Sequence, residues 1–296
     1  KIGRNEGAKY AQTYALPDDR ASDRLLGEVL DLGITYIDTA PAYGLSEERV
    51  GRVVGRLPSV VVSTKVGETF EAGRSTYDFS AAAVRASVER SMKRLQRDVL
   101  DIVLIHAPAE DVDVLSRTEV VDTLLELRSR GRIAAIGLSG KSVPAAERAL
   151  EWADVLMIEY HPRDRSHEAL MRRAAEAGVG IVVKKGLASG SIAPAEACAS
   201  AQTAAGRRRC RRQRDRALDV VGNRFAGRIR QVVERQDHDV VTHADAAVLT
   251  APTPEGEVRA AGSWLTFLRC HVAGLLPALG PVIVDVDVLA LLGVAG

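Results

Sequence analysis

Four side chains from distant points of the chain, Asp38, Tyr43, Lys65 and His106, are of types that together manage a proton. An ammonium beside a phenol favours the phenolate and lowers the tyrosine pKa from its reference of about 10, so Tyr43 near Lys65 would release a proton near neutral pH. Lys65 needs a counter-charge to stay ionised in a partly dry pocket, and Asp38 is the available carboxylate. His106 adds a donor able to orient a carbonyl oxygen toward Tyr43. Acid, tuner, counter-ion and orienter suit the protonation of an oxyanion as hydride reaches the adjacent carbon. No side chain supplies hydride, so such chemistry demands a redox cofactor. Taken singly, each residue also fits a plain structural role: Asp38 capping a turn, Tyr43 a half-buried loop aromatic, Lys65 a snorkelling terminus and His106 a hydrogen-bonded core imidazole. Only the set carries chemistry.

These residues sit at or just beyond the ends of short apolar runs. Strands are expected over 34–38, 60–65, 100–105, 133–138, 155–158 and 179–183, separated by helical patterns over 23–32, 46–55, 119–130, 143–152 and 167–177. A long helix begins after Ser80, with Val84, Val88, Met92 and Leu95 at helical spacing. Ser46 is expected to cap the helix that carries Glu47 and Glu48 in its first turn, and Gly33 and Gly131 to end the helices before them. Alternating βα units with continuously apolar strands build a parallel sheet covered on both faces. An open doubly wound sheet and a closed barrel both satisfy the pattern. Polar residues at so many strand ends favour the α/β (β/α)8 TIM barrel, where those ends converge on one face.

Composition bounds the remaining choices. The chain has 296 residues, 40 basic and 39 acidic, for a net charge of +1, with 46% apolar and 27% charged residues. That is globular, and no apolar run is long enough to span a membrane, residues 275–294 being broken by Pro277, Pro281, Asp285 and Asp287. Cys198, Cys210 and Cys270 have neither disulfide-framework nor zinc spacing, and no other metal-ligand set stands out. Lys1 is followed by no charged-then-apolar leader, so a cytoplasmic location is expected. The rhythm fails after about residue 190, which divides a barrel-like unit, 1–190, from an Arg-rich segment, 191–296. No lysine follows Lys185, and residues 205–235 hold 11 Arg against Asp215, Asp219 and Glu234. Three readings stay open there: a nucleic-acid footprint, disfavoured because Phe225 is the sole aromatic; a solvated or poorly ordered stretch; or a translated wrong reading frame.

The stretch Gly-Ile-Thr-Tyr-Ile-Asp-Thr-Ala-Pro-Ala-Tyr-Gly-Leu-Ser-Glu-Glu-Arg-Val-Gly, residues 33–51, closely resembles the signature of the aldo-keto reductases. Ser63-Thr64-Lys65-Val66-Gly67, Leu104-Ile105-His106 and Ile136-Gly137-Leu138-Ser139 resemble later motifs of that family, in order, over about residues 1–190. The resemblance implies a TIM barrel, a nicotinamide cofactor at the strand ends (NADP by family habit, NAD the alternative) and reversible reduction of a small aldehyde or ketone to an alcohol. Position by position, Asp38, Tyr43, Lys65 and His106 fall on the family's catalytic tetrad. Ser139 matches the serine that holds the nicotinamide carboxamide, although Gly140 and Met157 stand where many members have Asn and Gln. Lys184 occupies the place of a stacking Tyr. Gly186, Leu187, Ala188 and Ser189, leading to Gly190, resemble the loop around the pyrophosphate. The family's first strand would fall mostly before Lys1, leaving Ile2-Gly3-Arg4. Its last strand survives as an echo at residues 281–284, so the barrel is expected to be incomplete at its N-terminal strand and irregular after 191.

Two other functions compete. Lys65 or Lys184 could serve a Schiff-base barrel enzyme, an aldolase or dehydratase. Alternatively the chain is a reductase-derived relic whose Arg-rich tail binds acidic partners or nothing. Glu159, Tyr160 and His161 follow a strand and suit packing better than catalysis, and Cys198 has no histidine partner in a recognisable motif. Nothing in the sequence encodes an oligomeric state.

Overall fold

The computed structural model describes residues 2–7, 15–32, 34–186, 188–192 and 282–284. Its elements run α1 (Asp19–Asp31), β1 (Tyr36–Asp38), α2 (Ser46–Val54), β2 (Val61–Val66), a hairpin of β3 (Glu68–Glu71) and β4 (Arg74–Tyr77), then α3 (Ala81–Leu95) and β5 (Leu100–His106). There follow α4 (Asp111–Arg117), α5 (Val120–Ser129), β6 (Ile133–Ser139), α6 (Val143–Ala149), β7 (Val155–Glu159), α7 (Glu168–Glu176), β8 (Gly180–Lys184) and β9 (Val282–Val284). Seven strands form one sheet in the order β1-β2-β5-β6-β7-β8-β9, every neighbouring pair parallel. All six strands expected from the apolar runs are present, and the echo at 281–284 is a strand paired with β8. Among the described residues β1 has one strand neighbour only, so the sheet is a curled arc of the expected barrel, open between β9 and β1.

Apolar burial on both faces explains why these runs are strands. Val62, Val103, Ile105, Ile136, Leu138, Leu156 and Ile181 face outward into a core shared with the helices through Val84, Val88, Leu95, Leu124 and Leu170. Alternate residues, Ile102, Leu104, Ala135, Val155, Met157 and Val182, form a separate inner cluster with Tyr36 and Val61. Each fully buried Leu, Ile or Val contributes about 1.5–3 kcal/mol, so both faces hold the sheet. The period of two then dictates what lies above the inner cluster. Asp38, Lys65, His106, Ser139, Glu159 and Lys184 are the next inward positions on β1, β2, β5, β6, β7 and β8.

Helix ends follow expectation in part. Ser80 accepts a hydrogen bond from Ala83 N at 3.4 Å and caps α3. Gly131, at φ +71°, closes α5: its N–H donates to Arg128 O and that of Arg132 to Leu127 O, the paired bonds of a Schellman end. Ser46, expected as an N-cap, is instead the first helical residue of α2; Leu45 precedes it, and the Ser46 hydroxyl accepts from Thr39 Oγ1 at 2.9 Å. The competing side-chain partner took the oxygen that would have capped the helix. The β3–β4 hairpin and α4 were not foreseen. Gly33, Leu187, Cys198, Cys210, Cys270 and the Arg-rich stretch 205–235 lie outside the described residues. Among the described residues no helix is long and apolar enough to cross a membrane.

Candidate active site

β1 delivers Asp38, and the ladder continues one residue further through Thr39 N donating to Ser63 O at 2.8 Å. Pro41, with its fixed φ, then starts a 3-10 turn, Pro41–Tyr43, which swings the phenol back over the strand ends. Residues 2–3 brace this turn from below: Leu45 N donates to Gly3 O at 3.2 Å, and Arg49 Nη1 to Ile2 O at 2.5 Å.

Lys65, 1% exposed, is the most deeply buried charge of the group. Its Nζ lies 2.5 Å from Asp38 Oδ2 and 2.9 Å from the Thr39 carbonyl oxygen. The other Asp38 oxygen accepts from Ser63 Oγ at 2.5 Å, and that hydroxyl also meets Tyr36 OH at 2.8 Å. The ammonium stands 4.7 Å from the centre of the Tyr43 ring, and that ring meets His106 edge-to-face at 5.9 Å between centres. The four residues expected to act together are thus brought together.

Glu68, which sequence reasoning passed over, joins them. Gly67 turns the chain out of β2 at φ +100°, where a Cβ would fall 2.0 Å from Phe79, so glycine is required. The turn aims Glu68 Oε2 to 2.7 Å from His106 Nδ1, an approach off the ring N–H line. Ser75 Oγ, across the hairpin, donates to the second carboxylate oxygen at 2.6 Å. Burial raises the Glu68 pKa, but His106, Ser75 and the charge of Arg4 outweigh it and bring it down to about 2. Burial pushes the His106 pKa down, Lys65 and Lys184 push the same way, and Glu68 opposes them. The turn of the hairpin leaves a faint trace, since Ala72-Gly73 between Phe70 and Thr76 is a two-residue turn with both φ angles positive, but nothing in it points to the contact of Glu68 with His106.

Ser139 and Lys184 also meet. Lys184 Nζ donates to Ser139 Oγ at 3.1 Å and to Gly140 O at 2.7 Å. Burial lowers the Lys184 pKa to about 8, with Lys65, Lys185 and Lys141 adding repulsion and Glu159 offsetting part of it. Beyond β8, Lys185, Ala188 and Ser189 all hold positive φ, at 55°, 48° and 56°. Such conformations cost about 1–3 kcal/mol each and gather at ligand clamps. A side chain at Gly186 would meet open space, so that glycine is not needed for a close approach here. Tyr160 and His161 are buried, and Glu159 pairs with Lys185 Nζ at 2.5 Å, which suits the packing role expected of them.

An anionic cofactor fits this donor set. Lys65, Lys184 and Lys185 crowd one rim, where Asp38 pairs with Lys65 and Glu159 with Lys185. A pyrophosphate near Lys184 and the positive-φ loop would relieve that repulsion, and the Ser139 hydroxyl beside His106 suits a carboxamide.

A parallel α/β barrel arc with proton-handling residues on its carboxyl rim is the class that fold and site define. The Aldo/keto reductase family profile matches residues 7–240, and the chain belongs to that family. It is similar to Aldo-keto reductase YhdN of Bacillus subtilis, 36% identical over 148 residues, covering 48% of this chain and 44% of that protein. It is also similar to the NADH-specific methylglyoxal reductase of Escherichia coli, 32% identical over 181 residues, 54% of this chain and 56% of that one. The chain therefore spans about half the length of these curated relatives. A solved structure assigned to the aldo-keto reductases, from Pseudomonas aeruginosa, is 46% identical, with a TM-score of 0.59 over 63% of this chain and 73% of the other.

Proposed function

We propose that the chain reduces a small aldehyde or ketone to an alcohol with a nicotinamide cofactor, Tyr43 acting as general acid. The observation that carries this is Lys65, sealed between the Asp38 carboxylate and the face of the Tyr43 ring. A fixed cation there favours the phenolate left after proton transfer, and it needs no reorganisation at the moment of reaction. Asp38 keeps the cation in place, and Ser63 holds Asp38. His106 orients the reacting oxygen. Ser139 and Lys184, with residues 186–189 behind them, would hold the cofactor, which when bound supplies the hydride.

We assign NADP, with NAD the alternative; NADH is the specificity named for the Escherichia coli relative. Residues 1–190 are taken as the unit carrying this chemistry, acting on a small molecule and not on nucleic acid. The three cysteines without disulfide spacing suit a reducing, cytoplasmic setting. A second reading, a Schiff-base enzyme, is favoured by the lowered pKa of Lys184 and would use that amine, Lys65 being tied to Asp38.

Titration with NADPH and NADH, followed by nicotinamide fluorescence, and then cofactor oxidation with a panel of aldehydes and ketones tests the proposal. Saturable binding and carbonyl-dependent oxidation are expected. Absence of both would overturn it in favour of a reductase-derived chain that no longer binds cofactor. A borohydride-trapped adduct on Lys184 without cofactor oxidation would favour the Schiff-base reading.

A further inference from the structure

His106 approaches the site between two kinds of charge. Lys65 on β2 and Lys184 on β8 act against a proton on its ring, Glu68 on β3 acts for one, and the Tyr43 ring from the 3-10 turn stands perpendicular to it. Among the described residues, Glu68 is the one with an ion-pair contact to a ring nitrogen of His106. Oε2 lies 2.7 Å from Nδ1, and the carboxylate is 9% exposed and braced by Ser75 across the hairpin. At that distance a proton on Nδ1 places positive charge beside an ionised oxygen and is attractive even off the ideal line, whereas a bare Nδ1 places its partial negative charge there.

We propose that Glu68 is a positioning residue that fixes the proton of the neutral His106 ring on Nδ1, so that Nε2 meets the site as an acceptor and becomes a donor only in the imidazolium. This inference rests on the proposed carbonyl chemistry, because it specifies what His106 offers the reacting oxygen. An acceptor at Nε2 suits a hydroxyl, the alcohol side of the reaction. A donor at Nε2 suits a carbonyl oxygen, the ketone or aldehyde side. Glu68, as the counter-ion of the imidazolium, sets the pH at which one exchanges for the other. Lys65 and Lys184 oppose the imidazolium, so its stabilisation depends on Glu68 remaining beside the ring.

The test is nitrogen NMR of the histidine side chains in the full chain across pH, with His106→Gln identifying the resonances. The expected result is a neutral ring protonated on Nδ1 and bare at Nε2 in the unaltered chain. In Glu68→Gln the pKa of His106 should fall by about one to three pH units as its counter-charge is lost. In Glu68→Ala the proton should redistribute toward Nε2. A neutral ring already protonated on Nε2 in the unaltered chain overturns the inference, as does a pKa unmoved in Glu68→Gln. The first observation needs no variant, so a poorly folding substitution leaves the question decidable. None of these readouts requires turnover. A chain that binds no nicotinamide yet shows the Nδ1 proton would refute the proposed function while upholding this pairing. Active enzyme with the proton on Nε2 would do the reverse.

Discussion

Lys65 Nζ lies 2.5 Å from Asp38 Oδ2, and the lysine is 1% exposed, so an ion pair from two strands is closed beneath the rim of the sheet. Removing one partner of such a pair leaves a buried charge uncompensated, at a cost of about 3–5 kcal/mol, whereas removing both is far milder. Asp38→Asn is expected to lower the melting temperature more than the double variant Asp38→Asn with Lys65→Met. Thermal unfolding of the two single variants and the double closes that cycle. Additive losses would show that the two charges do not support one another.

The Glu68 carboxyl is held at about 2 in the folded chain against an ordinary value of 4.5. A carboxyl with a depressed folded pKa contributes stability that is complete above about 4.5 and is lost as pH falls toward 2. The unaltered chain is therefore expected to lose denaturant stability more steeply than Glu68→Gln over that window. Parallel curves for the two chains would show that the pairing with His106 and Ser75 adds nothing to folding.

Lys184, at about 8 instead of 10.5, is a cation partly suppressed by burial and by its neighbours. Between those values the folded chain holds fewer protons than the unfolded one, so this residue makes stability rise with pH across the window. A bound pyrophosphate favours the charged form and reverses the trend for binding. Nicotinamide cofactor affinity is expected to fall as pH rises through about 8, and Lys184→Met is expected to flatten that dependence while weakening binding at pH 7. Calorimetric titration over pH 7–9 measures both, and an unchanged slope in the variant would place the anion away from Lys184.

How much of this was legible in the sequence follows from what each residue terminates. Asp38, Lys65, His106, Ser139 and Lys184 each end or follow an apolar strand, and in a parallel sheet that placement alone sends them to one rim. Their inward aim follows from strand parity, which Tyr36, Ile102, Leu104 and Val182 below them reveal. Glu68 was illegible for the opposite reason. It lies on a short polar hairpin whose alternation is weak, and its importance comes from contact with His106, 38 residues away, which no local pattern encodes. Ser46 misled because a good capping residue found a hydroxyl partner, Thr39, in a turn shaped by tertiary contacts. The lowered pKa of Lys184 likewise depends mainly on burial and on Lys65 and Lys141 from other parts of the chain, with only Lys185 adjacent to it.

The central claim is that the Tyr43 hydroxyl gives its proton to the reacting oxygen while Lys65 holds the compensating charge. Tyr43→Phe keeps the ring that Lys65 and His106 face and removes only the acid. Steady-state oxidation of nicotinamide cofactor with a carbonyl substrate, measured beside cofactor fluorescence titration, is the direct test. The expected result is a fall in kcat of about 100- to 10,000-fold with cofactor affinity unchanged to within a few-fold. Turnover in Tyr43→Phe equal to that of the unaltered chain would contradict the account.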